Sequence, residues 1–255
     1  MSGGNPTSRS ATCKSVSPGA QGRWIERLTW SEAEQAIKRL HTILIPVGAA
    51  CKEHGLHLPL NTDWVVANYL AERIVQQCAV LALPTVSYGY YPAFLEYPGS
   101  VSIAAGAFEE TIADICRSFA RHGARKFYVL NTGISTRAPL EAARAALSAE
   151  GISMAYSDAH LAASARRSVE RQPFGTHADE IETSVMLYIA PQLVRMELAA
   201  PELTTNHPGA LTRNPAGPGV YSATGAWGDP TLAMPEKGRI MVEAIIGEIM
   251  ATLAV

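Results

Sequence analysis

The chain is 255 residues long and 47% hydrophobic, with 21 Lys and Arg against 23 Asp and Glu and a formal net charge of -2. A chain of this length buries a sizeable core, and its balanced charge, without a long block of either sign, argues against a nucleic-acid or acidic-membrane partner. No run of about 18 apolar residues occurs, which argues against a membrane span.

Residues 1–22, rich in Ser, Gly, Thr and Pro, lack the apolar stretch of a secretory signal and read as a flexible tail, leaving 23–255 as one domain. The spacing predicts a first helix over 31–39, capped by Ser31 with Glu34 three residues on. The apolar run 42–50 follows as a strand that ends at the polar stretch CKEHGLHLPLNTD, residues 51–63. From Asp63 a helix is expected, because Val65, Val66, Tyr69, Leu70 and Ile74 recur at helical spacing. A second apolar run, 79–89, leads into an aromatic loop, and a helix over 107–122 stops at Gly123. Residues 126–131 read as a strand ending in NTGIST, and 139–151 as an alanine-rich helix closed by Gly151. A short strand at ISMAYSD, a helix beginning in THADEIETSVML at 176–187, an irregular segment at 201–235 and a terminal helix from about Glu236 complete the chain. Short apolar runs alternating with amphipathic segments predict an α/β fold, a mostly parallel sheet covered by helices. The loops 51–63, 88–102 and 131–137 then share one mouth at the carboxyl ends of the strands.

Four widely spaced cysteines, Cys13, Cys51, Cys78 and Cys116, form no C-x-x-C pair and point to a reducing, cytoplasmic compartment. The candidate ligands and bases are His54, His57, Asp63, His177, Asp179, Glu180 and Glu182. Imidazole with carboxylate suits zinc, manganese or iron, but H-E-x-x-H, C-x-x-C and G-x-S-x-G are all missing, so spacing alone names no mechanism.

EHGLHLPLNTD, YPGSVS, LNTG, HADEIETSVML and GDPTLAMPEKG, in that order from about residue 30 to the C-terminus, resemble the creatininase family. The resemblance implies a three-layer α/β/α fold, usually oligomeric, with two metal ions at the strand ends. It also implies metal-assisted cleavage of an amide C–N bond in a small-molecule substrate, a formyl group or a modified peptide. In the family motif E-Q-H-G-P-H-L-P-L-x-T-D, the leading Glu, the first His and the final Asp bind metal. Here His54 and Asp63 remain, but the Glu has become Lys52, a cation with no acceptor. If the segment is extended, Glu53 points to the opposite face and does not replace it. The third strand end of the family, N-G-H-G-G-N or N-G-H-x-E-N, has become Asn131, Thr132, Gly133, Ile134, Ser135 and Thr136, losing the His and the Glu. Ahead of the Tyr97-Pro98-Gly99-Ser100 element, Ala93 and Phe94 stand where many members have Glu-His.

The resemblance therefore implies a degenerate site. His177, Lys52, Asp63 and His54 are its expected catalytic groups, and Tyr91, Phe94, Ser135, Trp227 and Glu180 its substrate contacts. The expected cofactor is none, or a single divalent ion, zinc foremost, on His54, Asp63 and Glu182. The substrate is expected to be less polar than creatinine and the protein a homo-oligomer. Acid/base chemistry without a metal suits cyclisation or dehydration as well as hydrolysis. Two alternatives stand beside this reading: a noncatalytic ligand-binding or partner-pairing member, and a metal-dependent amidohydrolase with rearranged ligands.

Overall fold

The computed structural model describes residues 21–157, 162–204 and 209–254. Most of the expected tail lies outside this range, while Gly22 is already docked, its N–H donating to Val75 O at 3.0 Å. Five parallel strands form the central sheet: β1 (Arg23–Trp24), β2 (Thr42–Val47), β3 (Val80–Ala82), β4 (Lys126–Asn131) and β5 (Ser153–Tyr156), in the order β1-β3-β2-β4-β5. After β2 the chain steps to one side to form β3, then crosses to the other side of β2 to form β4. The order therefore reverses between β2 and β4, whose following loops diverge and open a cleft at the carboxyl ends of the strands.

Alternation along the strands sorts the core into two layers. Ile43, Ile45, Val47, Phe127 and Val129 pack against α1 (Trp30–Arg39), α3 (Ala105–Ala120) and α4 (Arg137–Ala149). Leu44, Tyr128 and Leu130 face α2 (Thr62–Gln77), α6 (Glu180–Ile189) and α7 (Pro235–Leu253), with α5 (Ala163–Val169) at the margin. This is the expected three-layer α/β/α arrangement. Among the described residues no helix is long and apolar enough to cross a membrane.

Several local expectations shift. The first helix is capped by Thr29 rather than Ser31. The Thr29 side chain accepts from Glu32 N–H, and the Glu32 carboxylate accepts from Thr29 N–H at 2.8 Å, a reciprocal pair with a cap worth about 1 kcal/mol. Glu34, expected in that role, instead pairs with Lys38 one turn on at 2.9 Å. The run 79–89 yields only three residues of strand, because Pro84 has no N–H to continue the ladder; pairing resumes as a single bridge between Val47 and Val86. Helix α5 follows a segment with no clear periodicity and was not foreseen. Among its described residues, the irregular 201–235 segment holds a two-residue parallel pair, β6 (Leu211–Thr212) with β7 (Val220–Tyr221), a bridge between Glu202 and Gly228 and a 3-10 turn at Pro230–Leu232.

One close approach aims the site. A Cβ at Gly48 would lie 2.4 Å from Asp63 O, so only glycine lets the first turn of α2 press against the end of β2. That contact brings Asp63 back beside residues 52–54.

Candidate active site

The loop 51–63 folds back on itself, with Lys52 N–H donating to Leu60 O at 3.0 Å. Lys52 and Asp63 are thereby brought face to face, Nζ to Oδ2 at 2.7 Å, with side chains only 6% and 5% exposed. Among the described residues Oδ2 has no partner besides this ammonium. Burial alone would depress the lysine; Asp63, then Glu182, outweigh it and hold Lys52 above its ordinary range. Burial likewise pushes the Asp63 carboxyl up, and Lys52 followed by His54 overcomes it, holding Asp63 well below the usual carboxylate range. Lys52 is therefore a fixed cation, not a nucleophilic amine.

His54 Nδ1 lies 2.9 Å from Lys52 O, and since a carbonyl only accepts, Nδ1 carries a proton. Nε2 then faces Asp63 Oδ1 at 3.1 Å. His177 is oriented the other way round: Nε2–H donates to Glu53 Oε1 at 2.8 Å and Glu53 O at 3.0 Å. This leaves Nδ1 turned toward Glu182 Oε2 at 3.7 Å. His54, His177 and Glu182 each present a ligand atom, all within 4.8 Å of one another.

Glu53 is the residue that sequence reasoning rejected. Glu53 lies outside the trio of His54, His177 and Glu182 but reaches the site through His177. Its carboxylate also accepts from Gly55 N–H at 2.9 Å, and Gly225 at φ +87° leaves it room, since a Cβ there would sit 2.2 Å from Glu53 Oε2. No sequence motif signals this pairing across 124 residues.

The frame around His177 explains the acids that follow it. Asp179 caps α6, Oδ1 accepting from Ile181 and Glu182 N–H at 2.9 Å, while Oδ2 takes Arg166 at 2.7 Å and Gln172 at 2.8 Å. Between His177 and this cap, Ala178 holds φ +47°, a left-handed conformation costing a non-glycine residue roughly 1–2 kcal/mol. The turn is tied by Ala178 N–H donating to Glu182 Oε2 at 2.5 Å. An antiparallel bridge to Trp227 fixes the backbone of His177 from the other side.

The compact trio differs from the expected metal set: it contains His177 where Asp63 was expected, and Asp63 faces Lys52. Glu180, expected at the substrate, is fully buried and accepts from Lys237 and from the N–H groups of Arg171 and Gln172, both at 2.7 Å; it ties α7 and the 170–172 loop to α6. Phe94 and Tyr91 form a roof, with the Phe94 ring 4.5 Å from that of His177 and Lys52 Nζ 4.8 Å and 5.7 Å from the Phe94 and Tyr91 ring centres. Trp227 joins their apolar cluster, with its indole N–H enclosed and without an acceptor. A Cβ on Gly133 would already lie 3.4 Å from the Tyr91 ring. Tyr91, Phe94, Ser135, Trp227 and Glu180 do not line the cavity of about 180 Å³ beside the cluster, whereas Asp63, Glu182, Asn131 and Thr132 do.

His57 is a tether: Nε2 lies 2.7 Å from Thr183 Oγ1, joining the loop to α6. Burial is the main cause that lowers it to about 4 from 6.5. The unfolded chain therefore binds this proton more readily than the folded one, so the stability present above about pH 6.5 is lost as pH falls toward 4. Between pH 7 and 4.5 the loss from this group is expected to be on the order of 2 kcal/mol. In His57→Gln this part of the slope disappears; urea denaturation of both proteins at the two pH values measures it, and equal slopes would refute it.

The creatininase family model, described as creatinine amidohydrolase, matches residues 26–253. A mycofactocin precursor peptide peptidase of Mycolicibacterium smegmatis is 30% identical over 230 residues, covering 85% of this chain and 86% of the relative. The creatinine amidohydrolase of Pseudomonas putida is 26% identical over 255 residues, covering 88% and 93%. A solved structure named "Creatininase Mn" is 25% identical with a TM-score of 0.72, covering 90% of this chain and 96% of that one. Matching family model, relatives and fold agree with the motif order along the chain, and the chain belongs to the creatininase family.

Proposed function

We propose that this chain hydrolyses a C–N bond of a small amide or lactam in a site that binds at most one divalent ion, because Lys52 has taken over the charge of the other. The observation that carries this is the buried Lys52–Asp63 pair at 2.7 Å beside the trio of His54, His177 and Glu182. Two ions do not fit these residues. An ammonium lies against Asp63, and Gly133 offers no side chain where the resemblance implies a ligand histidine. One ion does fit: around the cluster, Lys52 faces Glu53, Asp63 and Glu182, one positive charge against three negative, and the trio presents its donors together. Zinc or manganese suits this imidazole and carboxylate set, and when bound supplies Lewis-acid polarisation of a carbonyl.

The chain's own groups then have separable tasks. Asp63, kept ionised by Lys52 and bordering the cavity, accepts a hydrogen bond from an attacking water and orients it. Glu53 holds the imidazole of His177 in one tautomer. Phe94 and Tyr91 keep water from Lys52, which strengthens its charge. A metal-free reading stands second, favoured by His54: if both its nitrogens carry protons, it donates to Lys52 O and Asp63 Oδ1 and is satisfied without an ion. Such a site would act by acid/base chemistry alone, as a cyclase or lyase as readily as a hydrolase.

Elemental analysis of the purified protein, with turnover of a panel of small amides and lactams before and after chelation, tests this. About one ion per chain, with activity lost on chelation and restored by zinc or manganese, is expected. Two ions per chain would overturn the replacement of one by Lys52, and full activity at background metal would establish the metal-free reading.

A further inference from the structure

Below the polar cluster the cavity of about 180 Å³ continues between three helices, and its deeper wall is aliphatic. Val66 and Leu70 come from α2, Val185 from α6, and Met241, Ile245 and Ile249 from α7. The i, i+4 spacing within α2 and α7 places these side chains one above another, so they form a continuous apolar surface. Asp63 and Glu182, one turn before Val66 and Val185 respectively, belong to the same wall. The apolar chamber therefore meets the polar cluster at Asp63 and Glu182. Arg166 at the margin is occupied by Glu170 and Asp179, so the described lining residues offer no uncommitted cation for an anionic group.

We infer that this chamber is a substrate subsite for an aliphatic substituent of about six carbons on the amide or lactam nitrogen or carbonyl side, a size set by apolar cavities of about 150 Å³ that accept a six-carbon ring. This rests on the hydrolase reading above for the reacting group, and adds what the remainder of the substrate is. A polar substrate such as creatinine leaves this chamber unfilled, forgoing the contacts of six aliphatic side chains.

Binding of straight-chain primary amides from acetamide to octanamide to the full-length protein, measured by titration calorimetry, tests the inference without requiring turnover. Affinity is expected to rise roughly fourfold per methylene and to level off near hexanamide. Val66→Phe, which narrows the chamber, should move the levelling point to a shorter chain, and Val66→Ala to a longer one; retained melting temperatures show that both fold. Equal affinity for acetamide and hexanamide, no binding of any member, or a chain-length dependence unchanged in both variants would overturn the subsite. A dependence on chain length without turnover leaves the subsite standing and counts against the hydrolase reading; turnover without that dependence does the reverse.

Discussion

Lys52→Met is expected to destabilise the protein by about 3–5 kcal/mol, because it leaves Asp63 buried without its counter-charge. Asp63→Asn should cost a similar amount by stranding Lys52, whereas the Lys52→Met, Asp63→Asn double variant should recover most of the loss, since both charges are then gone. The pair is 2.7 Å apart and nearly inaccessible, so solvent screening does little to reduce the effect. The pH dependence follows from the two shifts. Asp63 lies below its ordinary value, so its contribution is present above about 3.8 and is lost as pH falls through its lower folded value. Lys52 lies above its ordinary value, so its contribution is present below about 10.5 and is lost as pH rises through its higher folded value. The pair's contribution is therefore flat across the intervening range. Urea denaturation of the four proteins at pH 7 gives the cycle; small, additive single-variant costs would show that the pair is not holding the loop.

His177→Asn is expected to lower kcat/KM for amide turnover by roughly 10²–10⁴-fold, the range for loss of a positioned acid/base group, with little change in melting temperature. The imidazole is the group on which Glu53, Phe94 and the trio converge, so its removal costs a ligand if an ion is bound and the acid/base group if none is. Glu53→Gln keeps the shape but withdraws the carboxylate from Nε2–H, and should cost roughly 10–100-fold, as for other outer partners of a functional histidine. A positioning role predicts that this loss falls on kcat more than on KM and that the pH profile shifts. Unchanged kinetics in Glu53→Gln would reduce the Glu53–His177 contact to packing.

The strands and helices of the α/β layers were legible because their signals are local. Residues 126–131 form the expected strand, and α3 and α4 end just before the glycines expected to stop them. Boundaries slipped where a neighbouring residue competed: Thr29 captured the cap two residues upstream of Ser31, and Pro84 cut the second apolar run short. The same holds within the site. The opposition of Lys52 and Asp63 was readable from one thirteen-residue stretch. The join of Glu53 to His177 was not, because it depends on how an irregular loop packs against the turn before α6.

The sequence by itself determined the family and the parallel sheet, and set Lys52 where the resemblance implies a carboxylate, since each of these is written in residue type and order along the chain. Only the tertiary structure decided that His54, His177 and Glu182 bring their ligand atoms together, that Glu180 is a buried strut, and that the apolar wall of the cavity comes from helices α2, α6 and α7. The aromatic loop, expected to contact the substrate, roofs Lys52 and His177. The physical reason is that side-chain direction in irregular segments, and the space left between packed helices, are set by long-range contacts such as the close approach of Asp63 to Gly48, which no local periodicity encodes.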